Sequence, residues 1–175
     1  MNLKDFIRSI QDYPKKGILF RDITTLIKDE KAFNETINQI VERSKKFNFD
    51  KIAAIESRGF VFASAVSYIL KKPFIMLRKK NKLPADVHSV DFELEYGTAT
   101  IEVHKDSIGE NDKVLIIDDL IATGGTALAS IKLINKLGAK VKGCTFIIDL
   151  PELEGRKKIE EKGIEVQTLC SYEGH

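Results

Sequence analysis

Two adjacent carboxylates followed by a run of small residues make residues 118–126, DDLIATGGT, the segment of this chain best suited to chemistry. When ionised, Asp118 and Asp119 are pure hydrogen-bond acceptors, which suits them to hold two neighbouring hydroxyl groups of a sugar. The residues that follow form a small-residue loop, in which backbone N–H groups can converge on an anion at the start of a helix. They are Ala122, Thr123, Gly124, Gly125 and Thr126. A phosphorylated ribose would satisfy both halves of the segment.

A plainer interpretation of the same segment stays open, in which the two acids end a strand and the glycines only form a tight turn. The residues before the acids bear on this choice. Residues 114–117 are an uninterrupted apolar run, which is typical of a strand buried on both faces of a parallel sheet. Open α/β sheets place their ligands at the C-terminal ends of such strands. Neither a GxxxxGK[ST] sequence nor a GxGxxG sequence after a strand is present, so a Walker loop and a dinucleotide fingerprint are excluded.

The rest of the chain alternates predicted strands with predicted helices. Short apolar runs predict strands at residues 51–55, 74–77, 140–149 and 164–169. Helical spacing of apolar residues, or a polar helical pattern, predicts helices at residues 3–10, 33–47, 60–70, 126–137 and 152–162, the second of them beginning near Asp29. Residues 98–103 alternate polar and apolar side chains, as in a half-buried antiparallel strand. We therefore expect an α/β fold with a mainly parallel twisted sheet, flanked by helices and carrying an inserted hairpin.

Length and composition indicate a single domain over residues 1–175. The chain is 43% hydrophobic and 31% charged, enough for one sizeable core but not for a second domain. A net charge of +2 argues against a protein that coats nucleic acid. No apolar run reaches the length of a membrane span, and the N-terminus carries charges where a signal peptide needs an apolar region. We expect a cytoplasmic protein with no membrane partner, whose Cys144 and Cys170 are thiols in a reducing compartment.

Two further loops have the composition of anion-binding segments. Residues 56–60, ESRGF, follow the predicted strand at 51–55, and there Arg58 can make forked contacts to a diphosphate while Gly59 permits close backbone approach. Residues 78–93 are long, polar and basic, as in loops that cover binding sites. Their positive charge is concentrated at Arg78, Lys79, Lys80 and Lys82. A solvated hairpin tip explains this second segment equally well.

Together these segments resemble the type I phosphoribosyltransferases. Residues 118–126 are similar to the family's phosphoribosyl-diphosphate signature, and their form is most like that of the adenine phosphoribosyltransferases. Residues 56–60 resemble the diphosphate loop, with a cis peptide implied at Glu56–Ser57. RKKNKLP at 78–84 and LEYG at 94–97 resemble the family's mobile lid, and GILFRDIT at 17–24 resembles its purine-binding hood. The resemblance implies the type I phosphoribosyltransferase fold, with a small hood at residues 1–28 and a flexible hairpin lid at residues 78–96.

The resemblance also implies roles for individual residues. Asp118 and Asp119 would hold the ribose hydroxyls, and the small-residue loop would bind the 5′-phosphate. Arg58 would bind the diphosphate and assist its departure, together with Arg78, Lys79 and Lys82 of the lid. Mg²⁺ would be held through substrate and water, with no direct protein ligand.

The base would lie against the hood. By resemblance, Phe20 stacks on it, the Leu19 backbone reads its exocyclic amine and Arg21 reaches the ring, although Phe20 is equally suited to an ordinary core position. The 6-oxopurine enzymes usually have an acid where this chain has Ala122, which cannot exchange protons. Glu95 is the family's candidate for proton exchange at purine N7, with water as the alternative.

The expected reaction converts adenine and 5-phosphoribosyl-1-diphosphate to AMP and diphosphate. A homodimer is implied by the family and fits the strongly apolar helix predicted at 60–70. Two other functions stay open at this point. One is a phosphoribosyltransferase for another purine, and the other is a regulator that senses phosphoribosyl diphosphate without catalysis. Such regulators generally add a DNA-binding domain, for which this chain has no room, so we expect no nucleic-acid partner.

Overall fold

The computed structural model of the protein describes residues 1–94 and 97–174, in which strands and helices alternate. The strands are β1 (Arg8–Gln11), β2 (Leu19–Asp22), β3 (Lys51–Ile55), β4 (Phe74–Lys79), β5 (Val87–Leu94), β6 (Gly97–His104), β7 (Lys113–Ile121), β8 (Lys140–Asp149) and β9 (Val166–Ser171). The helices are α1 (Thr24–Lys28), α2 (Glu30–Ser44), α3 (Arg58–Leu70), α4 (Gly125–Lys136) and α5 (Gly155–Glu160). Two short 3-10 turns are Leu3–Phe6 and Pro151–Leu153.

Seven strands form one sheet in the order β5-β6-β4-β3-β7-β8-β9, and β1 pairs with β2 in a separate ribbon. Strands β4, β3, β7, β8 and β9 are neighbours in that order and run parallel to one another. Strand β6 is antiparallel to both β4 and β5. The mainly parallel α/β sheet with an inserted antiparallel hairpin is therefore confirmed. None of the described helices is long and apolar enough to cross a membrane.

Strands β3 and β7, in the middle of the sheet, are buried on both faces. Ile52 and Ile117 belong to the core on the side of α2 and α3, whereas Ala53 and Ile116 belong to the core that includes α4 residues. Side chains alternate between the faces of a strand, so an apolar residue is needed at every position of such a strand. This explains why residues 114–117 are uniformly apolar and why the first acid appears only where β7 reaches the edge of the core.

The predicted helix at residues 3–10 is wrong beyond its first turn. Only Leu3–Phe6 is helical, as a 3-10 turn, and Ile10 lies in β1 opposite Phe20 of β2. Leu3 and Ile7 are buried against the core, so the apolar spacing that resembled a helix arises from a turn followed by a strand. The hood at residues 1–28 is thus a two-stranded ribbon with one short helix, α1.

Asp22 fixes the corner between the ribbon and α1. Its Oδ1 accepts hydrogen bonds from the backbone N–H of Thr24 at 2.9 Å and from the Thr24 hydroxyl at 2.7 Å, and its Oδ2 accepts from the Arg8 guanidinium. Burial raises the pKa of Asp22, but the hydrogen bonds from Thr24 and Arg8 outweigh burial and lower it to about 2. The hood is therefore held by a carboxylate that stays ionised at neutral pH.

The predicted helix at residues 152–162 is also interrupted. Pro151–Leu153 forms a 3-10 turn, Glu154 adopts a left-handed conformation with φ of 61°, and α5 begins only at Gly155. A proline at the first position and a left-handed residue at the fourth end the first turn before an α-helix can start. This break moves the start of α5 beside the small-residue loop.

Candidate active site

The acidic pair, residues 56–58 and the small-residue loop line one cleft at the C-terminal edge of the sheet. Strands β3 and β7 pair in parallel, so the loops that follow them start side by side. The cleft has a volume of about 940 Å³ and is also lined by Lys79 of β4 and by residues of β5 and β6. Loops at the ends of adjacent parallel strands are a frequent place for ligands in open α/β sheets.

A close backbone contact sets the distance between the two central loops. A methyl group at Gly59, in the first turn of α3, would lie 2.9 Å from Asp118 Oδ1 and 3.0 Å from the backbone oxygen of Ile117. The first separation is shorter than real contacts of a Cβ atom, and the second is tighter than most of them. The glycine predicted to permit close approach therefore does so, and the surface it approaches is the acidic end of β7.

The two acids of this pair have different surroundings. The Asp119 side chain is 6% exposed, and its Oδ2 lies 2.5 Å from Arg58 Nε in an ion pair. Burial, and then the negative charge of Asp119, raise the pKa of Asp118 well above its usual value. The backbone N–H of Asp119 donates to Asp118 Oδ1 at 2.9 Å and partly offsets this shift. Hydrogen-bond donors of a ligand, such as sugar hydroxyls, would stabilise the ionised form of Asp118.

The small-residue loop leads into α4 in the geometry of an anion site. Gly124 precedes the helix with φ of 85°, a left-handed conformation that glycine adopts without a steric cost. The backbone N–H of Leu128 bonds the Gly124 oxygen at 2.8 Å, closing the first turn of the helix. The N–H groups before that bond have no partner within the helix, and the helix dipole places positive potential there. This end of α4 is suited to a phosphate group.

Gly155 packs against the backbone of the small-residue loop. This role was not predicted from the sequence. Its backbone N–H donates to the Ala122 oxygen at 3.0 Å, and an added methyl group would lie 2.3 Å from that oxygen and 2.7 Å from the Gly124 nitrogen. In return, a methyl group at Gly124 would lie 2.9 Å from the Gly155 Cα. The available signal was a glycine inside a predicted helix, where it costs stability.

The hood brings the Phe20 ring near Arg58, which lines the cleft, whereas Arg21 lies on the other face of β2. The Arg58 guanidinium lies 5.5 Å from the centre of the Phe20 ring, which Tyr13 contacts edge-on at 5.0 Å. Successive side chains of a strand point to opposite faces. Accordingly, Arg21 donates to the Ser9 hydroxyl at 2.6 Å and lies over the ring of Tyr172 at 4.0 Å.

Tyr172 is therefore a contact between the two ends of the chain. The Lys4 ammonium also lies over this ring, 4.9 Å from its centre. Two cationic side chains of the hood, those of Lys4 and Arg21, therefore contact Tyr172. Burial raises the pKa of Tyr172 to about 12. Leu19 is half-buried in β2 opposite Gln11.

The basic residues of the segment predicted to be a lid lie in different places. Lys79 lines the cleft. Arg78 forms an ion pair with Glu56, with 2.7 Å between Arg78 Nε and Glu56 Oε2, and Lys82 is exposed in the turn between β4 and β5. The Glu56–Ser57 peptide bond is cis, as the resemblance implied. Glu95 lies outside the described residues.

Comparison with known proteins decides the family. The model of the phosphoribosyl transferase domain matches residues 23–171. A protein from Pelagibacter ubique named adenine phosphoribosyltransferase is 71% identical over 175 residues, which cover all of both chains. The chain belongs to the adenine phosphoribosyltransferase family. The family expected from the sequence motifs is thus confirmed.

Solved adenine phosphoribosyltransferases share the whole fold. The crystal structure of the enzyme from Thermoanaerobacter pseudethanolicus matches with a TM-score of 0.93 and 46% identity, over 97% of this chain and 98% of that one. The enzyme from Saccharomyces cerevisiae, complexed with adenine and D-2,5-dideoxy-2,5-imino-altritol 1,6-bisphosphate, matches with a TM-score of 0.88 and 32% identity, over 96% of each chain. The type I phosphoribosyltransferase fold is therefore confirmed as well.

The contact between Gly155 and the small-residue loop makes a prediction about stability. Gly155→Ala forces backbone atoms apart, and we expect it to lower the free energy of unfolding by roughly 1–3 kcal/mol, the usual cost of overpacking. Gly109→Ala is the matched control, because its methyl group would meet only the Asp112 side chain, at an ordinary 3.6 Å from Oδ2. Urea unfolding measures both variants. An equal change in the two would show that the contact does not constrain the loop.

Proposed function

We propose that this protein catalyses the transfer of the phosphoribosyl group from 5-phosphoribosyl-1-diphosphate to adenine, giving AMP and diphosphate. One observation carries the proposal: a single cleft contains the N-terminus of α4, the acidic pair and Arg58, and the Phe20 ring lies beside Arg58. These features suit a phosphate, a ribose and a flat aromatic base in that order. The family, and the adenine-containing complex of the Saccharomyces cerevisiae relative, support the same substrate pair.

The phosphoribosyl end would be held by backbone and acid together. The small-residue loop offers N–H donors to the 5′-phosphate, which stays fixed while the sugar carbon C1 moves from diphosphate to base. Asp118 and Asp119 accept hydrogen bonds from the ribose hydroxyls. Because Arg58 is paired with Asp119 and exposed by half, its remaining guanidinium donors are available for the diphosphate.

The adenine would stack on Phe20, with the Leu19 backbone reading its exocyclic amine. Ala122 lines the cleft where 6-oxopurine enzymes usually carry an acid, so this chain presents no carboxylate to that part of the base. Arg21 is held by Ser9 and Tyr172 on the other face of β2, so we assign it to supporting the hood. This placement of Arg21 differs from the direct base contact that the resemblance implied.

In the forward reaction, the bond between C1 and the diphosphate breaks and N9 of adenine bonds to C1 from the opposite face. Positive charge develops on the ribose ring, so positioning and electrostatic stabilisation carry the reaction. The diphosphate leaves with the bonding electron pair, near Arg58 and Lys79. Adenine loses one proton, which we assign to Glu95 from the sequence motif LEYG.

The oxygen-rich cleft fits Mg²⁺ held through the substrate. Magnesium prefers oxygen ligands, keeps several waters and is commonly bound by one or two carboxylates together with substrate phosphates. Residues 1–94 and 97–174 contain no group of three or more His, Cys, Asp or Glu side chains placed to hold a metal. Asp118 and Asp119 would orient the ribose hydroxyls beside the ion. When bound, Mg²⁺ neutralises charge on the leaving diphosphate.

A homodimer is the assembly we propose, and α3 gives the reason. The side of this helix away from the sheet exposes Tyr68 to 85%, Ile69 to 46% and Val61 to 37%, and Met76 of β4 is exposed to 46%. Exposed apolar side chains gathered on one helix and a strand adjoining it mark an interaction surface. A second copy of the same chain would cover them.

Base preference tests the proposed function directly. Adenine should give AMP in the presence of phosphoribosyl diphosphate and Mg²⁺, and removal of Mg²⁺ with EDTA should stop the reaction. Hypoxanthine, guanine and xanthine should react far more slowly, because Ala122 presents no acid to them. The rate of diphosphate release measures turnover with each of the four bases. Equal or faster turnover of a 6-oxopurine would overturn the assignment of adenine.

Substitution of the acids should separate binding from turnover. Asp119→Asn replaces an acceptor with a mixed donor and acceptor beside Arg58, so the KM for phosphoribosyl diphosphate should rise by roughly tenfold. Glu95→Ala should instead lower kcat by roughly 10²–10⁴-fold, the range for general acid–base groups. Steady-state kinetics with each substrate varied distinguish the two effects. Wild-type kcat in Glu95→Ala would assign the proton to water.

The exposed face of α3 predicts the state of assembly. Wild-type protein at micromolar concentration should sediment at about twice the 19.7 kDa of one chain. Ile69→Lys places a charge in the covered surface and should give the single chain, since burying an unpaired charge is costly. Ile18→Lys adds the same charge at an exposed apolar position of the hood and should leave the dimer intact. A wild-type monomer would contradict the proposal.

A further inference from the structure

Lys158 lies beside the small-residue loop without belonging to any of the motifs described above. It is in α5, and its Nζ donates a hydrogen bond to the backbone oxygen of Thr123 at 3.3 Å. It lines the same cleft as the acidic pair. An ammonium group has three donors and no acceptor, so the contact with Thr123 leaves two donors for other partners.

Contacts made by other residues of α5 fix the backbone position of Lys158. Gly155, at the start of the helix, contacts the backbone of Ala122 and Gly124 directly. Arg156 ties the helix to the sheet, with bonds to the Val166 oxygen at 3.2 Å and the Thr168 hydroxyl at 3.3 Å. The helix therefore has little freedom to move its lysines relative to the loop.

Charge distinguishes Lys158 from its neighbour. Lys157 pairs with Glu154, with 3.6 Å between Nζ and Oε1. Within the part of the chain that the structure describes, Lys158 forms no ion pair. It therefore presents an uncompensated positive charge beside the N-terminus of α4.

Three cationic side chains among the described residues line the cleft: Arg58, Lys79 and Lys158. Arg58 is engaged with Asp119, and Lys79 extends from β4 on the side of the hairpin lid. The backbone N–H groups of the small-residue loop are neutral donors, whereas a phosphate monoester carries up to two negative charges at neutral pH. Of the three cations, Lys158 is the one that contacts this loop.

We propose that Lys158 is a further substrate-binding residue, whose ammonium group pairs with the 5′-phosphate held by the small-residue loop. The proposal rests on the proposed function for the identity of the phosphate, which is that of phosphoribosyl diphosphate and of AMP. Lys158 would bond both the phosphate and the Thr123 oxygen, so it would supply the positive charge that the neutral N–H groups of the loop lack. Gly155 is the positioning residue that brings α5 close enough for this contact.

The test compares Lys158→Gln with Lys157→Gln, which removes the same charge from the same helix. Lys158→Gln should raise the KM for phosphoribosyl diphosphate by up to about tenfold, the upper end for one charge-assisted contact of an exposed side chain. Its KM for adenine should stay unchanged. Lys157→Gln should match the wild type in both constants. Lys158→Arg keeps the charge and should restore most of the affinity.

Binding of ribose 5-phosphate tests the role of Lys158 independently of the proposed catalytic activity. Calorimetry should show that Lys158→Gln weakens the binding of ribose 5-phosphate and of AMP about tenfold and leaves the binding of adenosine unchanged. Lys157→Gln should alter none of these affinities. Equal affinities for ribose 5-phosphate in the two variants would overturn the role of Lys158, as would an equal loss for AMP and adenosine. Absence of AMP formation by the wild type would overturn the proposed function, and the ribose 5-phosphate comparison would still decide the role of Lys158.

Discussion

The structure depends above all on backbone segments that approach more closely than any side chain would permit. Gly59 lies against the acidic end of β7, and Gly155 lies against the loop that follows it. These two contacts hold three separate loops around one point at the edge of the sheet. Parallel pairing of β3 with β7 fixes the strands from which two of these loops start, so the loops begin side by side and their backbones meet at the cleft.

The ion pair between Arg58 and Asp119 extends this arrangement to the hood. A carboxylate that is only 6% exposed needs a partner, since a buried unpaired charge is strongly unfavourable. The same guanidinium lies near the Phe20 ring, so one arginine contacts both the acidic pair and the aromatic ring of the hood. In the proposed function, a diphosphate bound by the remaining donors of Arg58 would therefore engage a residue that contacts both the acidic pair and the hood.

Much of the fold was predictable because its signals are local. Strands β3 and β8 have the bounds that their apolar runs indicated, and Asp29 caps α2, where its Oδ1 accepts from the Ala32 N–H at 2.9 Å. The two loops at the ends of β3 and β7 were also predictable, since each follows an apolar strand and contains glycine. The β1–β2 ribbon was not, because pairing of Ile10 with Phe20 joins residues ten apart and overrides a helical pattern. The role of Gly155 depends on contact with residues about thirty positions earlier, which no local pattern records.

Tyr172 connects the last residues of the chain to the first. Its ring is covered by Lys4 and Arg21, and its backbone N–H donates to the Asp149 oxygen at 3.0 Å. During synthesis the hood leaves the ribosome well before the tyrosine that supports it. The proposed base-binding hood therefore gains this support only after the strands of the sheet have been made, and loss of Tyr172 would leave the small-residue loop in place beside a hood without that contact.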